Sequence, residues 1–250
     1  MFLIIFFTLV VFIHFFFTIG VLKKNYAVMD IGWGLGFIVV ALIAYFHNPL
    51  SVRNAITLLL VTIWGLRLAL YLFKRNHGLP EDYRYAEYRK EWGASANFQA
   101  YLKVYLFQGL LMFIISIPFI FGMSRSVSEL SLINIFGAII WLAGLSFEMW
   151  ADHYLAWYKK QPEHKGKLCV TGPWKYCRFP NYFGEVLLWY GIYLLNFNLE
   201  TSWTIIGPLT INFLILKVTG VPFLEKKYAT REDYREYSKR VPRFVPFTKP

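Results

Sequence analysis

Apolar positions run through this chain in long blocks, and the polar positions collect between them. At helical rise, ~20 residues cross the hydrocarbon core of a bilayer. Seven blocks meet or approach that length: Met1–Leu22, about Ala27–Phe46, about Ala55–Phe73, about Val104–Met123, about Leu132–Ala151, about Asn181–Phe197 and about Ser202–Leu224. Polar stretches cover Lys74–Lys103 and Asp152–Pro180, and a basic tail closes the chain. The pattern predicts an all-α polytopic membrane protein with seven transmembrane helices. The first block lacks a basic n-region and a small-residue cleavage site, so it reads as a retained span rather than a signal peptide.

Composition removes the soluble alternative. Hydrophobic residues make up 57% of the chain and charged residues 16%, whereas a soluble domain carries roughly 25% charged residues to cover its surface. The 250 residues suit one integral-membrane domain, residues 1–250, with no linker and no internal repeat. The lack of repeated halves and of paired broken helices argues against a transporter.

The net charge of +11 reads as topology, with no nucleic-acid partner implied. With the first connection placed inside, 22 Lys and Arg fall on the inner side and only Arg53 and Arg125 on the other. Arg67 and Lys217 lie within or near spans. Lys and Arg accumulate in cytoplasmic loops, so the N-terminus is expected outside and the C-terminus in the cytoplasm. Such a basic face attracts anionic headgroups and phosphorylated cofactors. Within the Lys74–Lys103 stretch, Pro80 is expected to open a helix with Glu81 and Asp82 in its first turn. Tyr85, Tyr88 and Trp92 then share one face, as in a helix lying at the membrane interface.

Ionisable residues inside the blocks are functional candidates, because charge in hydrocarbon is expensive. Asp30 follows Met29 at the start of the second block, and Arg67 follows Trp64-Gly65-Leu66 in the third. They form a structural ion pair, or Arg67 snorkels, or they serve a ligand. Glycines 32, 34 and 36 permit close helix approach, and His14 reads as a packed or interfacial histidine. Glu148 and Asp152 are four apart, hence on one helix face, and Glu185, one turn after Asn181, adds a third carboxylate. These acids bind the sugar hydroxyls or amide of a cofactor, or they pair with Lys159 and Arg178. Cys169 and Cys177 alone make neither a four-ligand zinc site nor a disulfide framework. No metal is expected, and both read as reduced cytoplasmic thiols.

The most specific text is Gly172-Pro173-Trp174-Lys175-Tyr176-Cys177-Arg178-Phe179-Pro180-Asn181-Tyr182-Phe183-Gly184-Glu185. It resembles the C-terminal signature shared by steroid 5-alpha-reductases, sterol reductases and isoprenylcysteine carboxyl methyltransferases. The core of that signature is Arg-His-Pro-Asn-Tyr-x-Gly-Glu, and Phe179 stands here in place of the histidine. Over nearly its full length the chain resembles a membrane-protein family related to the steroid 5-alpha-reductases. The supporting text is Asp30-Ile31-Gly32-Trp33-Gly34, Glu81-Asp82-Tyr83-Arg84-Tyr85, Gly220-Val221-Pro222, Leu224-Glu225 and Tyr234-Arg235-Glu236-Tyr237.

The resemblance implies a seven-helix fold with an NADPH pocket open to the cytoplasm, residues 104–250 being the cofactor-binding half and 1–103 the substrate half. It assigns cofactor contacts to Glu148, Asp152, Lys159, Trp174, Tyr176, Arg178, Asn181, Tyr182, Glu185, Tyr234, Tyr237 and Arg240. Steroid 5-alpha-reductases grip the substrate ketone with a Gln-Glu pair in the second helix and a tyrosine in the third. Here Asp30 takes the place of the glutamate, the glutamine is absent, and the tyrosine's place falls near Trp64. Trp33, Trp64 and Arg67 are accordingly the substrate contacts and Asp30 the catalytic acid, since a carboxylic acid desolvated in a bundle can stay protonated near neutrality. The implied reaction is NADPH-dependent reduction of an enone in a lipophilic, steroid-like or isoprenoid-like small molecule, in a bacterial inner membrane. A methyltransferase using S-adenosylmethionine on a lipid-linked acceptor, and a non-catalytic lipid-binding protein, are the competing readings.

Overall fold

A computed structural model describes residues 1–125 and 129–249. Among the described residues the fold is all-helical, with no strand. Two compact units emerge: Met1–Leu130 with Asn198–Thr204, and Ser131–Phe197 with Ile205–Pro250.

The first unit opens with α1 (Phe2–Leu22), α2 (Val28–Phe46) and α3 (Val52–Asn76). In α1 the buried positions are Ile5, Leu9, Ile13, Phe16 and Gly20, a stripe at helical spacing, while Phe6, Phe7 and Phe15 are exposed as a lipid-facing surface requires. α2 and α3 touch backbone to backbone: a methyl built on Gly34 would lie 2.5 Å from the Gly65 carbonyl oxygen. Of the α2 glycines that sequence marks for close approach, Gly34 meets a neighbouring backbone, whereas Gly32 faces the Phe16 ring and Gly36 the Met112 sulfur.

The polar stretch then forms α4 (Tyr83–Trp92), followed by α5 (Ala96–Ala100), a π-helical turn at Tyr101–Leu106, and α6 (Phe107–Met123). α4 begins at Tyr83 rather than Pro80, because Asp82 is the N-cap and accepts from the Arg84 N–H at 3.0 Å. Tyr88 and Trp92 stack at 5.0 Å. Tyr85 shares their side of the helix but is buried, so this face is turned inward at Tyr85. At the far end of α3, Arg53 is buried and its Nη2 donates to the carbonyls of Gly122 and Arg125. Asn54 donates to the Met123 carbonyl at 3.0 Å. Arg53 therefore caps the C-terminal carbonyls of α6, where a cation is favourable, rather than standing in a loop. Arg125 pairs with Glu200 at 2.8 Å.

The second unit is built on α7 (Leu132–Lys160) and α8 (Pro180–Leu195). Ser131 and Asn134 form a capping box at the start of α7, and Asn134 also donates to the Leu195 carbonyl at 2.9 Å, tying that start to the end of α8. Between these ends run two reciprocal glycine contacts. A methyl on Gly137 would lie 2.8 Å from the Gly191 oxygen, and one on Gly144 would lie 2.8 Å from the Gly184 oxygen. α7 and α8 are thus antiparallel at backbone contact. α7 continues two turns past the predicted Ala151, because its last turns are polar and hydropathy does not register them.

The last apolar block is interrupted. A 3₁₀ segment at Leu199–Ile205 leads to α9 (Ile206–Phe213), a π-helical turn at Leu214–Val218 and α10 (Gly220–Tyr228). Pro222 has no N–H to return to Val218, so the ladder must change register here. The Thr219 N–H reaches back five residues, to the Leu214 carbonyl at 2.8 Å. The basic tail carries α11 (Glu232–Arg240). Among the described residues, six helices are long and apolar enough to cross a membrane: Phe2–Leu22, Val28–Phe46, Val52–Asn76, Tyr83–Met123, Leu132–Lys160 and Leu199–Tyr228. The protein is an integral, multi-pass membrane protein whose apolar surfaces contact lipid.

Candidate functional site

In the first unit, a polar cluster forms where α4 docks on the start of α2. Asp30 accepts from Arg84 Nη2 at 3.0 Å on one oxygen and from the Tyr85 hydroxyl at 2.7 Å on the other. Arg84 is shared with Asp82, whose carboxylate takes its Nε at 2.9 Å. Burial alone would raise the Asp82 carboxyl, but its hydrogen bonds and charge pairing with Arg84 outweigh this and hold it below its ordinary value. Beside it, Glu81 receives Arg89 through both nitrogens, at 3.1 and 3.0 Å, and the Tyr26 backbone N–H at 2.6 Å. The Arg89 guanidinium lies 3.8 Å over the Tyr26 ring. Asp30 therefore engages Arg84 and Tyr85 from the polar stretch, partners that hydropathy gives no reason to place beside α2. Trp33, Phe37 and Trp64 form an edge-to-face series at 5.3 and 5.6 Å, with Trp64 buried and Arg67 half-buried.

In the second unit, the glycine register carries the acids of α7 to the first turns of α8. A methyl on Gly184 would lie 2.6 Å from the Glu148 nitrogen, so Glu148 sits against the turn that runs from Asn181 to Glu185. Glu148 and Asp152, one turn apart, are both buried. Trp141, two turns before Glu148, is 1% exposed, and its indole N–H has no partner among the described residues. A buried donor without an acceptor calls for explanation, and nothing in the sequence pattern singles it out.

The loop before α8 is held by the tail. Tyr237 donates to the Trp174 carbonyl at 2.6 Å, and the Arg178 N–H donates to the Pro242 carbonyl at 3.0 Å. Arg178 Nη1 lies 3.3 Å from the Tyr234 hydroxyl and 3.4 Å from Glu225 Oε1. Arg243 holds the same carboxylate through two nitrogens, at 3.0 and 2.6 Å. One carboxylate between two guanidiniums leaves one positive charge in excess. Tyr234, Tyr237, Trp174, Cys169, Tyr158 and Ala151 form a single buried cluster. Burial pushes the Cys169 thiol up and the Cys177 thiol up to about 12; both are free cysteines, and no cluster of metal-ligating side chains occurs among the described residues. Burial likewise raises the hydroxyls of Tyr234 and Tyr237.

Of the residues that resemblance assigns to a cofactor, Trp174, Arg178, Tyr234 and Tyr237 come together, and Glu148 is brought against the first turns of α8, which carry Asn181, Tyr182 and Glu185, with Asp152 one turn further along α7. Lys159 and Arg240 are exposed, and Arg240 donates to the Glu236 carbonyl of its own helix. Tyr176 packs between Trp150 and Phe247. Phe179, in the histidine's place, is buried with its ring 6.3 Å from Tyr182. Glu225 was visible in the matched text Leu224-Glu225, though without a role. Arg243 carried no signal beyond its place in a basic tail.

The family described as "Protein of unknown function (DUF1295)" matches residues 16–241. The chain belongs to that family. An uncharacterized protein of Schizosaccharomyces pombe is 27% identical over 235 residues, covering 80% of this chain and 65% of the relative. The match thus spans under two thirds of that relative's length. No solved structure matches.

Proposed function

We propose that this member of the family is a membrane-embedded, NADPH-dependent reductase. Its reaction is hydride transfer to a C=C bond conjugated to a carbonyl, in a lipophilic, steroid-like or isoprenoid-like substrate. One observation carries the reading: complementary polar sets gather in a single compact unit. Buried carboxylates and an amide lie on the α7–α8 hairpin, and the Arg178–Glu225–Arg243 cluster holds a positive charge in excess. A phosphorylated dinucleotide presents both complements, hydroxyls and a carboxamide for the first and phosphates for the second. The resemblance of Gly172–Glu185 to the reductase signature supports the same choice.

NADPH, when bound, supplies the hydride. Arg178 and Arg243 serve phosphate, with Lys159 and Arg240 as further cations. Glu148, Asp152, Asn181 and Glu185 accept from or donate to hydroxyls and carboxamide. Tyr176, Tyr182 and Tyr234 offer ring faces, while Trp174 and Tyr237 fix the loop through their mutual hydrogen bond. In the substrate half, the hydroxyl of Tyr85 and the carboxyl of Asp30 share one proton-bearing hydrogen bond. That pair is the proposed donor to the substrate carbonyl, with Arg84 orienting Asp30 and with Trp33, Trp64 and Arg67 as substrate contacts. The proposed topology counts α8, paired with α7 along its length, as a crossing element. That gives seven crossings, the N-terminus outside and the C-terminus cytoplasmic, in a bacterial inner membrane.

The test is ligand-dependent thermal unfolding of the purified protein. A ligand that binds only the folded state at 100 times its Kd stabilises by ~2.7 kcal/mol. NADPH is expected to raise the melting temperature, and Asn181→Ala and Arg178→Ala each to weaken that shift. Stabilisation by S-adenosylmethionine and not by NADPH would replace this reading with the methyltransferase; stabilisation by neither would favour a non-catalytic lipid-binding protein.

A further inference from the structure

A shallow groove of about 240 Å³ lies along the α7–α8 hairpin. Its floor is Ala143 and Phe147 of α7 with Phe183 and Leu187 of α8, and its rim is the tail segment Val245-Pro246-Phe247. Each helix contributes an i, i+4 pair, so each presents one face. The lining has no polar side chain. We propose that this groove holds one acyl chain of an anionic phospholipid, with the headgroup phosphate at Lys175 and Lys249.

Three observations select that occupant. The volume lies below the ~300–1,000 Å³ of pockets that enclose drug-sized molecules, and a lining without polar side chains gives a polar ligand little to bond. A narrow, flexible hydrocarbon chain fits both limits. The rim is unusual for a basic tail: Phe247 is 78% exposed and sits at φ +63°, a region that non-glycine residues seldom adopt. Its ring packs on Tyr176 at 4.8 Å, so an apolar side chain is held out at the groove where lipid would cover it. The third observation is charge. Residues 172–183 and 241–249 contain no acid, and they bring Lys175, Arg178, Arg243 and Lys249. Arg178 and Arg243 share Glu225, while Lys175 and Lys249 are exposed. Basic residues at a membrane surface favour anionic lipid, and a zwitterionic headgroup gains little from this arrangement.

Occupancy has a structural consequence within the same unit. Phe183 belongs to the segment that carries Arg178, Asn181 and Glu185, and a chain packed on it buttresses that segment. Lipid binding at this groove is independent of whether the protein binds NADPH.

The experiment uses the full chain, delipidated in detergent and then supplied with dioleoylphosphatidylglycerol or dioleoylphosphatidylcholine. Native mass spectrometry reads the bound lipid and thermal unfolding reads its effect. One phosphatidylglycerol per chain should be retained with at least tenfold preference over phosphatidylcholine, and it should raise the melting temperature. Ala143→Trp, which fills the floor, should abolish retention; Phe247→Ala, in the exposed tail, should weaken it without threatening the fold. Lys175→Gln with Lys249→Gln should keep a lipid bound but bring the preference below about threefold. Equal retention of the two lipids by wild type, or unchanged phosphatidylglycerol retention in both Ala143→Trp and Phe247→Ala, would overturn the proposal.

Discussion

A single methyl group at Gly144 should cost more than most substitutions in this protein. Built there, it would lie 2.5 Å from the Leu188 nitrogen, 2.8 Å from the Gly184 oxygen and 3.0 Å from the Leu188 Cα. Carbon contacts are optimal at ~3.5–4.0 Å, so α8 must withdraw by about 1 Å at this point. Overpacking costs ~1–3 kcal/mol, and the obstructing atoms are backbone, which cannot rotate aside. The upper end applies. Alanine's helix preference over glycine returns ~1 kcal/mol, leaving a net loss of ~2 kcal/mol for Gly144→Ala. For a chain of this size that is ~4–8 °C in melting temperature, readable by tryptophan fluorescence in detergent. Gly184→Ala probes the same gap from the other side, with its methyl 2.7 Å from the Gly144 oxygen. The double variant should therefore lose much less than the sum of the two, since contacting residues couple. Gly144→Ala combined with Gly34→Ala, which belongs to the other compact unit, should add. A Gly144→Ala protein as stable as wild type, or strict additivity of Gly144→Ala and Gly184→Ala, would refute backbone contact between α7 and α8.

Three further outcomes are expected. Asp30→Asn should cost ~1.5–3 kcal/mol, the range for a hydrogen bond to a charged group, and less than a fully buried pair because the Arg84 side chain is 27% exposed; recovery of stability in Asp30→Asn with Arg84→Gln would confirm the partner, and a neutral Asp30→Asn would exclude it. The Cys177 thiol, pushed up to about 12, is about one part in ten thousand thiolate at pH 8, and thiolate is the nucleophile. Iodoacetamide should label it at least a hundredfold faster in denaturant than in the native protein, and equal rates would contradict its burial. Cysteines introduced in the Lys74–Lys103 stretch, the Asp152–Pro180 stretch and the tail should react with impermeant maleimide only from the cytoplasmic face; labelling of any one from outside would break the seven-crossing topology.

Where the fold is written in hydropathy, the sequence is easy to read. Long apolar runs mark α1, α2 and α3 within a few residues, because bilayer thickness fixes their length. The polar ends of α3 and α7 escape that signal, since nothing apolar marks a helix once it leaves the hydrocarbon. Asp30 shows a different limit. Hydropathy points to Arg67, an intramembrane cation, as its partner, but Arg84 and Tyr85 arrive from a polar stretch more than fifty residues away. Hydropathy assigns that stretch to the aqueous side and gives no hint that it folds back. The Arg178 cluster was half legible. Arg178, Tyr234 and Glu225 lie in recognisable text, but the sharing of Glu225 with Arg243 depends on how the tail returns after α11, which no local pattern encodes.

The brevity of α8 bears on which membrane suits the protein. Its 16 residues rise only ~24 Å as a helix, against a hydrocarbon core of ~30 Å. As the proposed seventh crossing, bound to α7 at backbone contact, α8 would be unable to tilt on its own to change the fit, so the bilayer would thin beside it. Such mismatch costs fractions of a kcal/mol per ångström and sorts proteins among membranes. Short-chain lipids should therefore support this protein better than long-chain or sterol-rich ones.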